Sequence, residues 1–236
     1  MASLMIGESN RHPCIECSVR PLNVCAALDK AELRELAHLG RHVQFSPGET
    51  LFAQEEVTRC FYNLVDGVMR LYKLLPDGRR QIIGFALPGD FLGLAVSSRH
   101  NFSADAIGPV VLCQFSKFAF AQFSKDRPNL LRRINELAVR ELSQAQDQMV
   151  LLGRRSAEEK VATFLISWRD RLARVTGSSQ TVSLPMGRQD IADYLGLTIE
   201  TVSRTFTKFE RDGVITIMPG SIRLLDPGRA EALAAA

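Results

Sequence analysis

The 236-residue sequence lacks any run approaching the roughly 18 consecutive apolar residues of a membrane span. It also lacks a basic stretch leading into a short apolar one at its start, so no secretory leader and no membrane contact are expected, and the expected location is cytoplasmic. Neither sign of charge dominates. Lys and Arg number 29 against 26 Asp and Glu, and the resulting +3 neither requires nor excludes a polyanionic partner, so local patches must decide. There is no internal repeat, and the only biased stretch is the alanine-rich end Ala230–Ala236. No nucleophile–base triad or pair of carboxylates stands out, which argues against an enzyme. The composition, 46% apolar and 23% charged, suits a globular chain long enough for two modest domains, each with a core.

Cysteine is scarce too. Five cysteines, an odd number, in a cytosolic chain argue for metal binding or reactivity over a disulfide framework. Three fall close together, in Cys14-Ile-Glu-Cys17 and then Cys25 after seven residues, within a segment that Pro13 and Pro21 make loop-like. Two cysteines separated by two residues can wrap one metal centre, and a third nearby adds a thiolate. A fourth ligand must come from elsewhere: Cys60 in Thr58–Tyr62, or Cys113 in the alternating strand Pro109–Phe115. Four thiolates suit zinc or an iron–sulfur cluster about equally. Free cysteine commonly ends as a small buried hydrophobe, the expectation for Cys60; residue type alone leaves Cys113 open.

The stretch Gly187–Val214 carries the strongest pattern. Ile199, Val202, Phe206 and Phe209 recur at helical spacing and predict one apolar stripe, with Glu200, Ser203, Arg204, Thr207, Lys208 and Arg211 on the opposite face. A shorter helix with Ile191, Ala192 and Leu195 precedes it, and Gly196-Leu197-Thr198 joins the two, glycine for the tight turn and Thr198 as N-cap. That is a helix-turn-helix. Glu200, Ser203 and Arg204, at i, i+3 and i+4, share one patch at the start of the second helix, where recognition helices meet base edges in double-stranded DNA. Arginine can fork onto guanine O6 and N7, a carboxylate can accept from the cytosine amino group, and serine can contact either partner. A glutamate there faces phosphate at a cost unless it reads a base, so its presence favours sequence-specific binding. Arg188, Thr198 and Lys208 complete the candidate DNA-facing set. Two β-rich runs, Val214–Ile217 and Ser221–Leu224, flank the Met218-Pro219-Gly220 turn and predict a wing.

Further upstream, apolar spacing predicts a helix over Leu28–Leu39 with Asp29 as cap. From residue 40 to about 123 short strands punctuated by Pro47-Gly48, Gly67, Pro76-Asp77-Gly78 and Pro88-Gly89-Asp90 predict a β-barrel or β-roll. Pro128 opens a long helix, in which Leu131, Ile134, Ala138, Leu142, Ala145, Met149 and Leu152 follow a period near 3.5 residues, the seam of a coiled coil and a route to a homodimer. Two winged units related by a two-fold axis would read a palindrome. Ser156-Ala-Glu158-Glu159 is a capping box for the next helix, with Val161, Phe164, Leu165 and Trp168 as its apolar face. Arg154-Arg155 stands at the junction.

Taken together, an α+β chain with an N-terminal β-roll, a long dimerisation helix and a C-terminal winged helix-turn-helix resembles the CRP/FNR superfamily of transcription regulators. The resemblance spans nearly the whole chain and divides it into a cysteine-bearing segment and helix (1–39), a sensor roll (40–125), a dimer helix (126–153) and a DNA-binding domain (154–236). Glu200-Thr-Val-Ser203-Arg204 looks like the FNR-type motif Glu-x-x-Ser-Arg, which implies a TTGAT half-site, with Arg204 on the guanine, Glu200 on the cytosine and Ser203 near thymine. Cyclic-nucleotide binders carry an arginine for the cyclic phosphate; here Phe102 stands there, after Asp90–Leu94, so no cyclic nucleotide is expected. The FNR branch instead has an N-terminal cysteine cluster and one further cysteine, a layout that Cys14, Cys17, Cys25 and Cys113 match and that implies a [4Fe–4S] cluster. The spacing resembles the FnrL, FnrN and FixK-like members. Family position also makes Phe85 and the Pro76–Arg80 loop candidates for touching RNA polymerase. One departure lies in the dimer helix: Gln146 takes the place of an acidic residue, with Asp147 adjacent, so either the register is offset by one or dimerisation is less conditional. A DNA-binding regulator with redox thiols, zinc or no cofactor is the alternative, and an iron–sulfur electron-transfer protein a more distant one.

Overall fold

The structure, a computed structural model, describes residues 14–93, 98–177 and 179–235; Pro13, Leu94 and Ala236 lie outside them. Where the prolines predicted only loop, the chain forms two 3-10 turns, Arg20–Leu22 and Val24–Ala27. Pro21 fits the first because its missing N–H has no partner in a first turn anyway. Asn23 begins the second, its side chain accepting from the Cys25 N–H at 2.8 Å. α1 (Lys30–Leu39) opens on a capping box: Asp29 accepts from the Ala31 and Glu32 N–H groups, and Glu32 returns to the Asp29 N–H.

Eight strands follow: β1 (Gly40–Phe45), β2 (Thr50–Phe52), β3 (Cys60–Asp66), β4 (Met69–Leu74), β5 (Arg80–Ala86), β6 (Phe91–Leu92), β7 (Ser103–Ala106) and β8 (Val110–Ser116). They form two antiparallel sheets, β1-β8-β3-β6 and β2-β7-β4-β5, closed over Phe52, Leu64, Met69, Ala104 and Leu112. The register places Cys113 opposite Asn63 of β3 and His42 of β1. Strand character ends earlier than the sequence predicts. α2 (Lys117–Lys125) occupies what was expected to be roll, because Phe120 and Phe123 at i and i+3 both turn inward. Phe120 meets Phe61 edge-on with ring centroids 5.3 Å apart and also Phe91 and Phe115, sealing the end of the roll nearest the cysteines.

α3 (Pro128–Arg154) is one uninterrupted helix of 27 residues, about 40 Å long at 1.5 Å per residue. Its predicted seam divides. Ile134 packs on the chain's own cysteine-side core and Leu152 on the C-terminal core, whereas Leu131, Leu142 and Met149 stay exposed, Met149 by 71%, with Val139 and Val150 beside them. A surface helix hydrophobic over that length needs a partner, and a second copy supplies the same stripe.

α4 (Ala157–Thr176) starts at the predicted Ser156/Glu159 capping box and buries Val161, Phe164, Leu165 and Trp168. β9 (Thr181–Ser183), α5 (Arg188–Leu195), α6 (Ile199–Arg211), β10 (Ile215–Met218), β11 (Ser221–Leu224) and α7 (Pro227–Ala235) complete a winged domain, its sheet in the order β10-β11-β9. α5 ends at Gly196, whose φ of +61° is the left-handed cap; a Cβ there would stand 3.3 Å from Leu152 of α3. Among the described residues no helix is long and apolar enough to cross a membrane.

Roll and winged domain share a core. Ile82, Phe85 and Leu87 join the cluster of α4, α5 and α6. Phe85, a candidate polymerase contact on the sequence, is only 3% exposed: it lies edge-on to Trp168 at 5.8 Å and against Tyr194 at 5.4 Å. An alternating strand cannot report which neighbour covers its outer face, and here that neighbour is the DNA-binding domain. Polar contacts fix the same joint. Arg80 reaches Asp190 and Asp193 at 2.7 Å each, Arg70 reaches Asp190 at 2.9 Å and Asp105 at 3.3 Å, and Gln81 donates to the Asp193 carbonyl at 2.6 Å. Arg80→Glu leaves both aspartates facing like charge and is expected to destabilise this joint by about 1–3 kcal/mol. Urea unfolding measures the loss, and adding Asp193→Arg should recover part of it if the pairing is direct.

Candidate nucleic-acid interface and thiol centre

α6 is built for one buried and one open face. Val202, Thr205, Phe206 and Phe209 are buried, while Ser203, Arg204 and Glu200 stand exposed on its first turns. Ile199, predicted as part of the apolar stripe, is 37% exposed: it is the first helical residue, at the rim of the domain rather than over its centre. Thr198 caps the helix as expected, its hydroxyl accepting from the Thr201 N–H at 3.2 Å. The Glu200 carboxyl is held below the usual carboxylate range by its own backbone N–H and then by the Thr198 hydroxyl, so it presents a full negative charge. Arg204 Nε donates to the Glu200 carbonyl at 3.3 Å, which leaves both terminal nitrogens free to fork outward.

The other two candidates are placed differently. Arg188 lays its guanidinium 3.4 Å over the Phe206 ring, and burial pulls its pKa down; it braces α5 against α6 instead of standing clear. Lys208, part-exposed, pairs with Glu158 at the start of α4. Both features depend on long-range neighbours that helical spacing does not name. Glu200, Ser203 and Arg204 thus form the open patch, with Thr198 beneath it. Arg155, from the junction pair, is tied down as well, donating to the Thr163 hydroxyl at 2.6 Å and to the Ala234 carbonyl of α7.

At the far end of the molecule four thiols gather. Cys25 is buried under Val24, Leu28, Phe91 and Leu130, with Cys14 and Cys113 packed beside it. Burial, then the neighbouring Cys14, Cys113 and Cys17, push the Cys25 thiol up to about 12. Burial, then Cys14 and Cys17, push Cys113 up to about 12 as well, and Cys14 is raised by burial and then by Cys17. Cys17 thus lies near enough to bias the other three, and all four are free thiols. Any metal held by thiolates here must displace their protons. The donor set, four sulfurs and no carboxylate, fits zinc or an iron–sulfur cluster. The thiols stand near one another without having closed on a point: among the described residues no three Cys, His, Asp or Glu side chains have metal-holding geometry. Asn63, 1% exposed, donates to Cys25 Sγ at 3.6 Å while its own carbonyl oxygen has no protein partner, a polar group in an otherwise apolar wall that faces sulfur. Cys60 lies outside the group, on β3, accepting from Gln114 at 3.2 Å. Sequence spacing missed Asn63 and Asn23; Asn23, two residues before Cys25, carries a local signal, since Asn readily caps the residue two ahead.

The position where a cyclic-phosphate arginine was sought, Phe102, packs on the roll core with its ring 5.7 Å from Phe52.

Comparison with known proteins agrees with this architecture. The family described as bacterial regulatory proteins, crp family, matches residues 184–215, and the cyclic nucleotide-binding domain family matches residues 42–127. The chain is 68% identical over 234 residues to the nitrogen fixation regulation protein FixK of Bradyrhizobium diazoefficiens, covering 99% of both chains. It is 62% identical over 220 residues to the transcriptional activatory protein AadR of Rhodopseudomonas palustris, covering 93% of this chain and 92% of that one. Among solved structures, FixK2 from Bradyrhizobium japonicum superposes with a TM-score of 0.78 at 36% identity, over 84% of this chain and 98% of that one. An exposed Glu-x-x-Ser-Arg patch on a winged domain, a long helix with an uncovered apolar stripe, a β-roll and relatives of this similarity lead to one conclusion: the chain belongs to the CRP/FNR family, DNA-binding transcription regulators rather than enzymes.

Proposed function

We propose that this protein is a cytoplasmic, oxygen-responsive transcription activator that binds a TTGAT-N4-ATCAA-type palindrome as a homodimer and engages RNA polymerase there. The observation that supports the sensing part is that Cys14 and Cys113 pack against buried Cys25, with Cys17 near enough to bias all three thiols. Those four cysteines would hold a [4Fe–4S] cluster, which when bound supplies an oxygen-labile crosslink between the N-terminal segment and β8.

The chain's own residues do the rest. With the four sulfurs drawn together, the segment carrying Cys14 to Cys25 is pinned to β8 and lies along the start of α3 through Leu130, Ile134 and Leu137. That contact orders the start of α3 and favours pairing of its exposed stripe, Leu131, Val139, Leu142 and Met149, with a second copy. Two α6 helices are thereby set at a fixed spacing, so Glu200, Ser203 and Arg204 of each protomer meet one half-site. With the sulfurs released, stripe pairing is less favoured and DNA affinity falls. Phe102 in the roll supplies no cation for a cyclic phosphate, so cyclic nucleotides are not the ligand. Polymerase contact is assigned to the exposed Pro76–Gly78 turn, since Phe85 is buried.

The test is the visible absorption spectrum of protein purified without air, with iron and sulfide quantified. A broad blue-end band that bleaches in air, with equal iron and sulfide, is the expected result. Colourless protein that still selects the palindrome would overturn the cluster and leave a regulator with zinc, redox thiols or no cofactor.

A further inference from the structure

α3 touches the cysteine-bearing segment near one end and the helix-turn-helix near the other. Near its start Arg133, with 18% of its side chain exposed, spreads its guanidinium over the end of the Arg20–Leu22 turn. Nε donates to the Asn23 carbonyl at 3.3 Å, one terminal nitrogen donates to the Leu22 and Pro21 carbonyls at 3.1 and 3.4 Å, and the other pairs with Glu136 at 3.2 Å. The Pro21 and Leu22 carbonyls are acceptors at the C-terminal end of a helical turn, where a cation is favoured, and the Asn23 carbonyl takes Arg133 in addition to the Ala26 N–H at 3.3 Å. Asn23 faces both ways: its carbonyl takes Arg133, and its side chain takes the Cys25 N–H at 2.8 Å. One buried residue therefore stands between the guanidinium and a sensor cysteine. Fifteen residues on, roughly 22 Å along the helix, Gln148 donates to the Tyr194 carbonyl of α5 at 2.9 Å, and Leu152 approaches Gly196 at the turn.

We propose that Arg133 is the positioning residue that passes the state of the cysteine-bearing segment to α3, and through Gln148 to the helix-turn-helix. This rests on the reading of the four thiols as the sensor. Leu130, Ile134 and Leu137 hold the segment by apolar contact, which tolerates sliding; the guanidinium supplies direction. Its planar fork meets three carbonyls in one geometry, so the three are kept or lost together when the segment shifts. A lysine, a point charge on a flexible stem, cannot do the same.

The experiment uses full-length Arg133→Ala and Arg133→Lys, handled without air. On metal-free protein, amide hydrogen exchange at residues 23–27 should run on the order of 10-fold faster in Arg133→Ala, with Arg133→Lys between, and with exchange in α4 and α6 unchanged. An unchanged rate overturns the assignment. The second measurement is the dimer dissociation constant, by sedimentation, of metal-free protein and of protein loaded with iron and sulfide. The wild-type ratio between the two states is expected within about 5–150-fold. Arg133→Ala should bring it near unity while iron and sulfide per protomer stay at the wild-type level. A ratio kept at the wild-type value with the arginine gone overturns the transmission role. Wild-type protein that takes up no iron, or dimerises equally in both states, defeats the sensor reading and the transmission role with it. The exchange rate still decides separately whether Arg133 anchors the segment.

Discussion

Replacing Arg204 by alanine is expected to weaken binding to the palindrome by about 1–3 kcal/mol at each half-site, so that a dimer loses roughly twice that. The side chain is exposed, and among the described residues its one hydrogen bond runs from Nε to the Glu200 carbonyl. Nothing in the fold depends on it, so thermal stability should not move. Glu200 sets the contrast. Its carboxyl is ionised and unburied, and next to phosphate it would repel; beside the amino group of cytosine it accepts a bond. Arg204→Ala should therefore flatten the preference at the guanine while binding to random DNA changes little. Mobility-shift titrations against the palindrome and against single-base variants separate the two cases. A loss equal on every sequence, with a shallower salt dependence, would make Arg204 a phosphate contact and return sequence reading to other residues.

Cys25→Ser has the largest expected effect on sensing. Cys25 is the most enclosed of the four thiols, its N–H is fixed by Asn23 and its sulfur is approached by Asn63. A serine hydroxyl does not ionise in the range where thiolates form, and it is a poor ligand for iron or zinc. Iron and sulfide should fall to background, the visible band should vanish, and anaerobic occupancy of the palindrome should drop. Cys60→Ser should leave all three unchanged, because Cys60 bonds with Gln114 outside the group. Air-independent DNA binding retained in Cys25→Ser would overturn sensing through these thiols. The serine is nearly isosteric, so a matching thermal melt distinguishes ligand loss from misfolding.

Much of this was legible from local chemistry. The Asp29 cap, the Ser156 capping box, the Thr198 cap, the Gly196 turn and the buried positions Val202, Phe206 and Phe209 each depend on residues a few places apart, and each stands in the structure as its spacing predicts. α2 was hidden because Phe118–Phe123 reads as apolar in either period and only the aromatic contacts to Phe61 and Phe115 make it helical. Phe85, a candidate polymerase contact only by family position, is covered by residues 164 to 194, which its own strand cannot report. The contacts of Lys208 with Glu158 and of Arg188 with Phe206 were hidden for the same reason.

By itself, then, the sequence determined the order of elements, the winged helix-turn-helix, the exposed Glu200, Ser203 and Arg204 and the short-range part of the cysteine motif, because hydrogen bonding along one helix or turn is settled within four residues. Only the tertiary structure decided which partners Arg188 and Lys208 meet, that Cys113 packs beside Cys25, which residue type had left open and the resemblance alone implied, and that Arg133 and the Arg80–Asp193 pair join the parts. Those depend on which surfaces meet across 18 (Arg188–Phe206) to 113 (Arg80–Asp193) residues of chain, a packing outcome that residue spacing does not encode.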